Sequence, residues 1–390
     1  MSKERRLSET LSGRGGLARV LTASLCVLGI VMTIAVAACN SSSSSSFKPH
    51  HFSFDVSGGL WVANGTNVLE FISPFTSHTP NITPTVSVTV TSTGFISAQG
   101  VVFDSEGDLW VIDGGNLATT STGATAPALD EFTAAQLAPG GSLTLTPAVV
   151  ITDTAGSPPL GFPQQAVFDS TGNLWVTDNS AGDVNVFSSS QLAVSGDVVP
   201  HATLTATGAD LFSGPLGIVF DSSGDLWVAN NGDTNIFEFD NTTVETVLTT
   251  GGANLAVPDV VLSNANSAIQ GPWALIFDTG GDLRSSNANA PNTVVEFSAA
   301  DLAASGSPAP AVTLTPINVK KVPSLNSPNG IALDLFGNLA AANSISPFSI
   351  AIYDPGELTT GGAIKPEVLI SGSNTGLTAP AGDTFGPLIP

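Results

Sequence analysis

Thiols are almost absent from this chain. Cys26 and Cys39 are the only two in 390 residues, both lie before residue 40, and nothing beyond them can form a disulfide. The rest of the chain must be held together by burial, which roughly 340 residues around one core can supply. Basic residues are scarce as well, with ten Lys and Arg against 32 Asp and Glu. Five of the ten (Lys3, Arg5, Arg6, Arg14 and Arg19) stand at the start, so that Lys48, Arg284, Lys320, Lys321 and Lys365 alone oppose the 30 acids that follow, a net charge of about −25. So acidic a surface repels a phosphate backbone and excludes nucleic acid as a main partner, while cations and neutral or cationic ligands stay open. Catalytic signatures are missing too. There is no G-x-S-x-G, no H-E-x-x-H and no C-x-x-C, and the four histidines are His50, His51, His78 and His201.

What is present begins with a leader. The basic start precedes an uncharged run from Val20 to Ala38, which ends in VAAC at Val36 to Cys39 and is followed by a serine tract, Ser41 to Ser46. Basic region, apolar region and small residues before a processing point form an export signal. VAAC resembles the lipobox of bacterial lipoproteins, which implies cleavage before Cys39 and lipidation of its thiol; the other reading of the run is an uncleaved membrane anchor. The expected organisation is a signal peptide over 1–38, a Ser-rich spacer over 39–46 after the lipidated cysteine, and one domain over 47–390. The expected product is exported and lipid-anchored to a bacterial membrane, at the outer membrane or cell surface, and monomeric.

That domain repeats itself. FDVSGGLWVAN, FDSEGDLWVID, FDSTGNLWVTD, FDSSGDLWVAN, FDTGGDLRSSN and LDLFGNLAAAN begin at Phe54, Phe103, Phe168, Phe220, Phe277 and Leu333, with 49 to 65 residues between successive copies. An apolar run, an Asp, a Gly-centred turn and a second apolar run make a β-hairpin. NIFEF (Asn235 to Phe239) and VETVLTT (Val244 to Thr250), rich in β-branched and aromatic residues, supply a third and fourth strand. LWVA and GIVF are continuously apolar, as expected of strands covered on both faces. Six such units predict an all-β fold, a six-bladed β-propeller with four-stranded antiparallel blades. APAGDTFG, Ala379 to Gly386, aligns with GPLGIVFD as the first strand of a seventh unit with nothing after it, and is expected to help close the ring beside His51 to Asp55.

In a propeller the residues entering the inner strand and those leaving the second strand share one rim. Alignment of the copies places His50, Gln99, Gln165, Leu216, Trp273 and Asn329 in the first set, and Asn64, Asp113, Asp178, Asn230, Asn287 and Asn343 in the second. The candidate ligand-binding rim is therefore His50, Gln99, Gln165, Trp273, Asn329, Asp113, Asp178 and Asn230, a polar cup with Trp273 and Leu216 as its apolar wall. Asn and Asp at strand ends also form Asx turns, so the second set reads either as turn chemistry or as a cation or polar-ligand site. The six FD aspartates at the other end read as turn formers, and Glu70, Glu131, Glu238 and Glu296 of the third strands as solvated positions.

The run P-x-G-I/V-x-F-D-x-x-G-D/N-L-W-V-A-N/D with N-x-I-x-E-F resembles the NHL-repeat propellers and, more distantly, the gluconolactonase and regucalcin superfamily, over about residues 47 to 376. Metal-dependent lactonases of that superfamily hold a divalent cation over the channel with a Glu, an Asn and an Asp. SPNGIALD, Ser327 to Asp334, is similar to their Asn-Gly element and implies Asn329 as a ligand. The first blade has KPHHFSFD where their Glu belongs. On this resemblance Asn329, with Asp113 and Asp178 from the rim alignment, is the expected metal set, and Ca2+ or another divalent cation the expected cofactor if there is one. The virginiamycin-lyase-like propellers are a further resemblance, and would require a rim histidine, a place only His50 fits.

Two blades depart from the pattern. The tryptophan column, Trp61, Trp110, Trp175 and Trp227, becomes Arg284 and then Ala340. Arg284 is expected at a blade edge, reaching solvent, or paired with Asp278 or Asp282. The leading functional expectation is a non-catalytic module that binds an unknown protein or small molecule over one rim. The alternative is a metal-dependent hydrolase or lyase acting there.

The leader generates a direct test. Cys39→Ala is expected to abolish lipid labelling and leave the precursor uncleaved; normal trimming of the variant would contradict the lipobox reading.

Overall fold

The computed structural model describes residues 59–72, 82–90, 95–115, 126–156 and 159–385. Cys39, the serine tract, His50, His51, His78 and Asp55 lie outside them. The described chain forms a six-bladed β-propeller. Its inner strands are Pro380–Phe385, Ala98–Phe103, Pro163–Phe168, Pro215–Phe220, Pro272–Phe277 and Pro328–Leu333 for blades one to six, and each touches the next around a closed ring.

Local chemistry sets the hairpin that every blade repeats. In each of the five turns described, Asp104, Asp169, Asp221, Asp278 or Asp334 accepts with Oδ1 from the backbone N–H groups two and four residues on, at 2.8 to 3.0 Å. The glycine three residues on, Gly107, Gly172, Gly224, Gly281 or Gly337, takes a φ of +82 to +89°, where a Cβ would be strained. The second carboxylate oxygen reaches the tryptophan six residues on: indole N–H groups of Trp110, Trp175 and Trp227 donate to Asp104, Asp169 and Asp221 at 3.1, 3.0 and 3.3 Å. One aspartate thus shapes the turn and satisfies a buried indole.

Those indoles join the blades. Trp61, Trp110, Trp175 and Trp227 are 0 to 3% exposed, and each stands edge-on to the phenylalanine ending the next blade's inner strand. The pairs are Trp61–Phe103, Trp110–Phe168, Trp175–Phe220 and Trp227–Phe277, with centroids 5.6 to 6.2 Å apart. In blade five the column holds Arg284, which does not reach solvent. It is buried and pairs with Glu296, directly opposite on the third strand, and with Asp278 at 3.7 Å. Three of the four third-strand glutamates are not solvated either: Glu70, Glu238 and Glu296 are buried because they stand across from Trp61, Trp227 and Arg284 in the middle of a covered sheet, while Glu131, across from Trp110, is half-buried.

The outer edges are also covered. A parallel fifth strand lies on the fourth strand of blade one (Gly141–Leu145), blade two (Gly196–Asp197) and blade three (Gly252–Ala256), each donated by the connection inside the following blade. Single parallel bridges from Gly306 to Leu262 and from Gly362 to Leu314 continue the pattern in blades four and five. Each blade so clasps its predecessor, and edge N–H and C=O groups that would otherwise invite another chain are paired.

Two elements differ from expectation. VETVLTT is not a strand but the end of a helix, Asn241–Thr250, because Asp240 caps it by accepting from the Thr243 N–H and because Val244 and Val247, three apart, share its buried face. The fourth strand of that blade is Val260–Leu262. Blade one is closed by the C-terminal segment: Leu60, Trp61 and Val62 pair with Phe385, Thr384 and Asp383. The inner-strand place expected of His51 to Asp55 belongs to Pro380–Phe385, and the rim position expected of His50 to Ala381.

Trp175→Ala is expected to lower stability by about 3 to 5 kcal/mol, because it empties a fully enclosed aromatic site and removes one of the bonds to Asp169. Urea denaturation checks this, and a change under about 1 kcal/mol would show that the column does not hold the blades together.

Candidate functional site

At one end of the channel lie the second-strand termini. Asp113 accepts from the N–H groups of Ile96, Ser97 and Gly115 at 2.8 to 3.0 Å. Asp178 accepts from Gly161, Phe162, Ser180 and Ala181. Asn230 accepts from Ser213 N–H at 2.6 Å and donates to the Leu211 carbonyl, and Asn64, Asn287 and Asn343 hold the equivalent loops in the same way. In every blade this residue ties down the loop that leads into the inner strand. The oxygens of Asp113 and Asp178 face backbone N–H groups, and Asn329 Oδ1 accepts from Ser327 Oγ at 3.1 Å. This donor set does not offer a divalent cation the free oxygens it needs.

The strand registers also correct the rim alignment. Asp178 pairs with Pro163 as Asp113 pairs with Ala98, so the counterpart of Gln99, Leu216, Trp273 and Asn329 is Gln164, and Gln165 stands one residue deeper. Its level is otherwise occupied by Gly100, Gly217, Ala274, Gly330 and Gly382. Small residues are required there: a Cβ on Gly100 would lie 2.7 Å from the Gln164 carbonyl, and one on Gly382 2.8 Å from that of Gln99. Gln165 alone carries a long side chain at this level. It crosses the channel to the opposite blade, where Nε2 donates to the Asn329 carbonyl at 3.3 Å. The adjacent pair Gln-Gln, preceded by Pro, hid this one-residue offset.

Beyond the glutamine bar the channel opens into a cavity of about 330 Å³. Its wall is aliphatic and aromatic, with Val101, Phe103, Val167, Ile218, Leu275 and Ile331, and it reaches the turns at Asp221, Ser222, Asp278 and Thr279. Of the seven rim residues among those described, only Gln165 lines it. The cavity therefore lies toward the end opposite to the expected rim, and it contains Asp383, which sequence reasoning passed over as part of a terminal strand. A group of three carboxylates, Asp104, Asp108 and Glu131, stands apart in the groove between blades two and three, with one oxygen of each within 4.8 Å of the others.

Buried acids set the electrostatics. Burial, reinforced by Asp225 and Asp259, pushes Glu238 up to about 8. Burial and Asp113 hold Asp130 at about 7, and burial and Asp178 hold Asp183 at about 7.

No protein-family model matches the chain, and no curated protein sequence does. Solved structures do match. The periplasmic gluconolactonase PpgL of Pseudomonas aeruginosa superposes with a TM-score of 0.54 at 13% identity, over 85% of this chain and 99% of that one. A protein of unknown function from Bacteroides caccae gives 0.53 at 10% identity, over 84% and 98%. A virginiamycin B lyase from Staphylococcus aureus gives 0.41 at 13%, over 66% and 67%. At such identities the likeness is one of fold: a propeller with gluconolactonase-like structural neighbours.

The raised carboxyls fix a pH dependence. Glu238, ordinarily near 4.5, keeps its proton in the folded chain up to about 8, so the folded state binds more protons than the unfolded one between those values. The stability it contributes is complete below about pH 4.5 and is lost as pH rises to about 8. Resistance to urea is expected to fall across this window, and Glu238→Gln to make the fall shallower; an unchanged slope in the variant would refute the assignment.

Proposed function

We propose that this protein is an exported, lipid-anchored propeller that binds a small ligand inside its central channel and catalyses no reaction on it. The observation that carries this reading is the cavity: about 330 Å³, mostly apolar, barred by Gln165 on one side and reached past the turns on the other. Small-molecule sites are typically concave and largely apolar, from about 300 Å³ upward, with a few polar groups placed for orientation. VAAC at Val36 to Cys39 and the spacer behind it support display outside the cytoplasm, close to a membrane.

A second reading, a metal-dependent hydrolase or lyase, has one observation in its favour, the converging oxygens of Asp104, Asp108 and Glu131. It would move the cation away from Asn329, Asp113 and Asp178 and into an inter-blade groove. Calcium titration by calorimetry separates the two, since heat lost in Glu131→Gln would favour this second site.

The channel reading is tested with a library of small organic fragments scored by thermal shift. Stabilising fragments are expected, and Ile276→Trp, which fills the cavity from a half-buried wall position, should abolish their effect while Asp113→Asn leaves it intact. Fragments that stabilise Ile276→Trp as well as the parent chain would place binding elsewhere.

A further inference from the structure

One position of the channel wall breaks its own rule. The middle residues of the second strands, Val62, Val111, Val176, Val228, Ser285 and Ala341, pair with Asp383, Val101, Ala166, Ile218, Leu275 and Ile331. Five of the six inner strands thus place an aliphatic side chain at this level, and the closing strand places a carboxylate. The Asp383 residue keeps partial contact with the channel, but both carboxylate oxygens are sealed from solvent and accept no hydrogen bond from another residue. The side chain rests against Gly330 of blade six, where any Cβ would collide with Oδ1.

No basic group of the described chain answers it. Arg284 is committed to Glu296 and Asp278, and Lys320, Lys321 and Lys365 form no ion pair with it. Burial alone holds the Asp383 carboxyl well above the usual range. An ionised carboxylate in such a place is costly unless a cation joins it. The surroundings decide which cation. A divalent metal wants six or more oxygens, whereas the side chains level with Asp383 are all aliphatic. An ammonium group asks for one carboxylate, and its hydrocarbon body for a dry wall. Asp221 and Asp278 at the cavity's outer end favour entry of a positive ligand and disfavour a negative one.

We propose that the channel cavity is a binding site for a small organic ammonium ion, whose charged head pairs with the Asp383 carboxylate and whose apolar body lies along Val101, Ile218, Leu275 and Ile331. This rests on the channel reading above and names the ligand class for it. Asp383 turns from Gly330 toward the cavity to meet the head group, and the closing strand thereby contributes the one charged recognition element of the site.

The probes are primary alkylammonium ions from methyl to octyl, benzylammonium, and the neutral alcohols of the same skeletons, titrated calorimetrically into the full-length chain in detergent. At least one ammonium is expected to bind roughly tenfold or more tighter than its alcohol. Asp383→Asn should remove that preference, and Asp383→Leu, which restores the aliphatic pattern, should remove it while raising the thermal midpoint, showing that the variant folds. Alcohols binding as tightly as ammonium ions, with both lost in Ile276→Trp, would overturn the ammonium assignment and leave the channel site standing. Absence of binding by either series would overturn both. Equal ammonium preference in Asp383→Asn and the parent chain would also overturn the assignment.

Discussion

Each second-strand tryptophan stands edge-on to the phenylalanine that ends the next blade's inner strand, and in Trp110, Trp175 and Trp227 the N–H is held by the aspartate that shapes its own turn. This contact joins two scales. Within a blade it locks the hairpin, because the indole is the second partner of the turn carboxylate. Between blades it sets spacing and angle, because the ring must meet its neighbour at 5.6 to 6.2 Å. Where the column loses its tryptophan, the carboxylate keeps another partner. Arg284 pairs with Asp278 in blade five, and in blade six Asn338 Nδ2 donates to Asp334 at 2.7 Å, as Asn173 Nδ2 does to Asp169 beside Trp175.

A ring built this way needs one closing contact between chain ends distant in sequence. Pro380–Phe385 makes it, with Phe385 packed among the blade-six residues Ala340 and Ile352 and with its backbone paired to Leu60–Asn64. Because this strand completes blade one from the far end of the chain, it departs from the repeat more than the others do. Asp383 and Thr384 stand where the repeat has aliphatic residues. The departure leaves turn and sheet intact and changes only the chemistry of the channel wall.

Much of this was legible in the sequence because FD-x-x-G-x-L-W is a complete local instruction: a carboxylate for two N–H groups, a glycine for positive φ, and an indole for the remaining oxygen. Four full copies and two that lose the tryptophan fix the blade number, and the four fix the buried tryptophans. The helix Asn241–Thr250 was hidden because Val and Thr favour strands, while the cap from Asp240 and the shared face of Val244 and Val247 act only once the helix docks. Glu238 looked solvated because its burial depends on the neighbouring blade. Asp113 and Asp178 were recognised as rim residues, yet their hydrogen bonds to loops 16 and 17 residues upstream could not be counted from strand ends alone. Gln165 and Asp383 needed strand register: one is a single residue deeper than its alignment, and the other belongs to a strand whose partner lies more than 300 residues away.

The proposed ligand site is the channel rather than the loop-bound rim. A crystal structure of the full-length chain grown with an alkylammonium ion tests this most directly. It should show the nitrogen at about 3 Å from an Asp383 carboxylate oxygen, with the alkyl chain inside the ring. Ligand density at Asp113, Asp178 and Asn329 with the channel empty would contradict it.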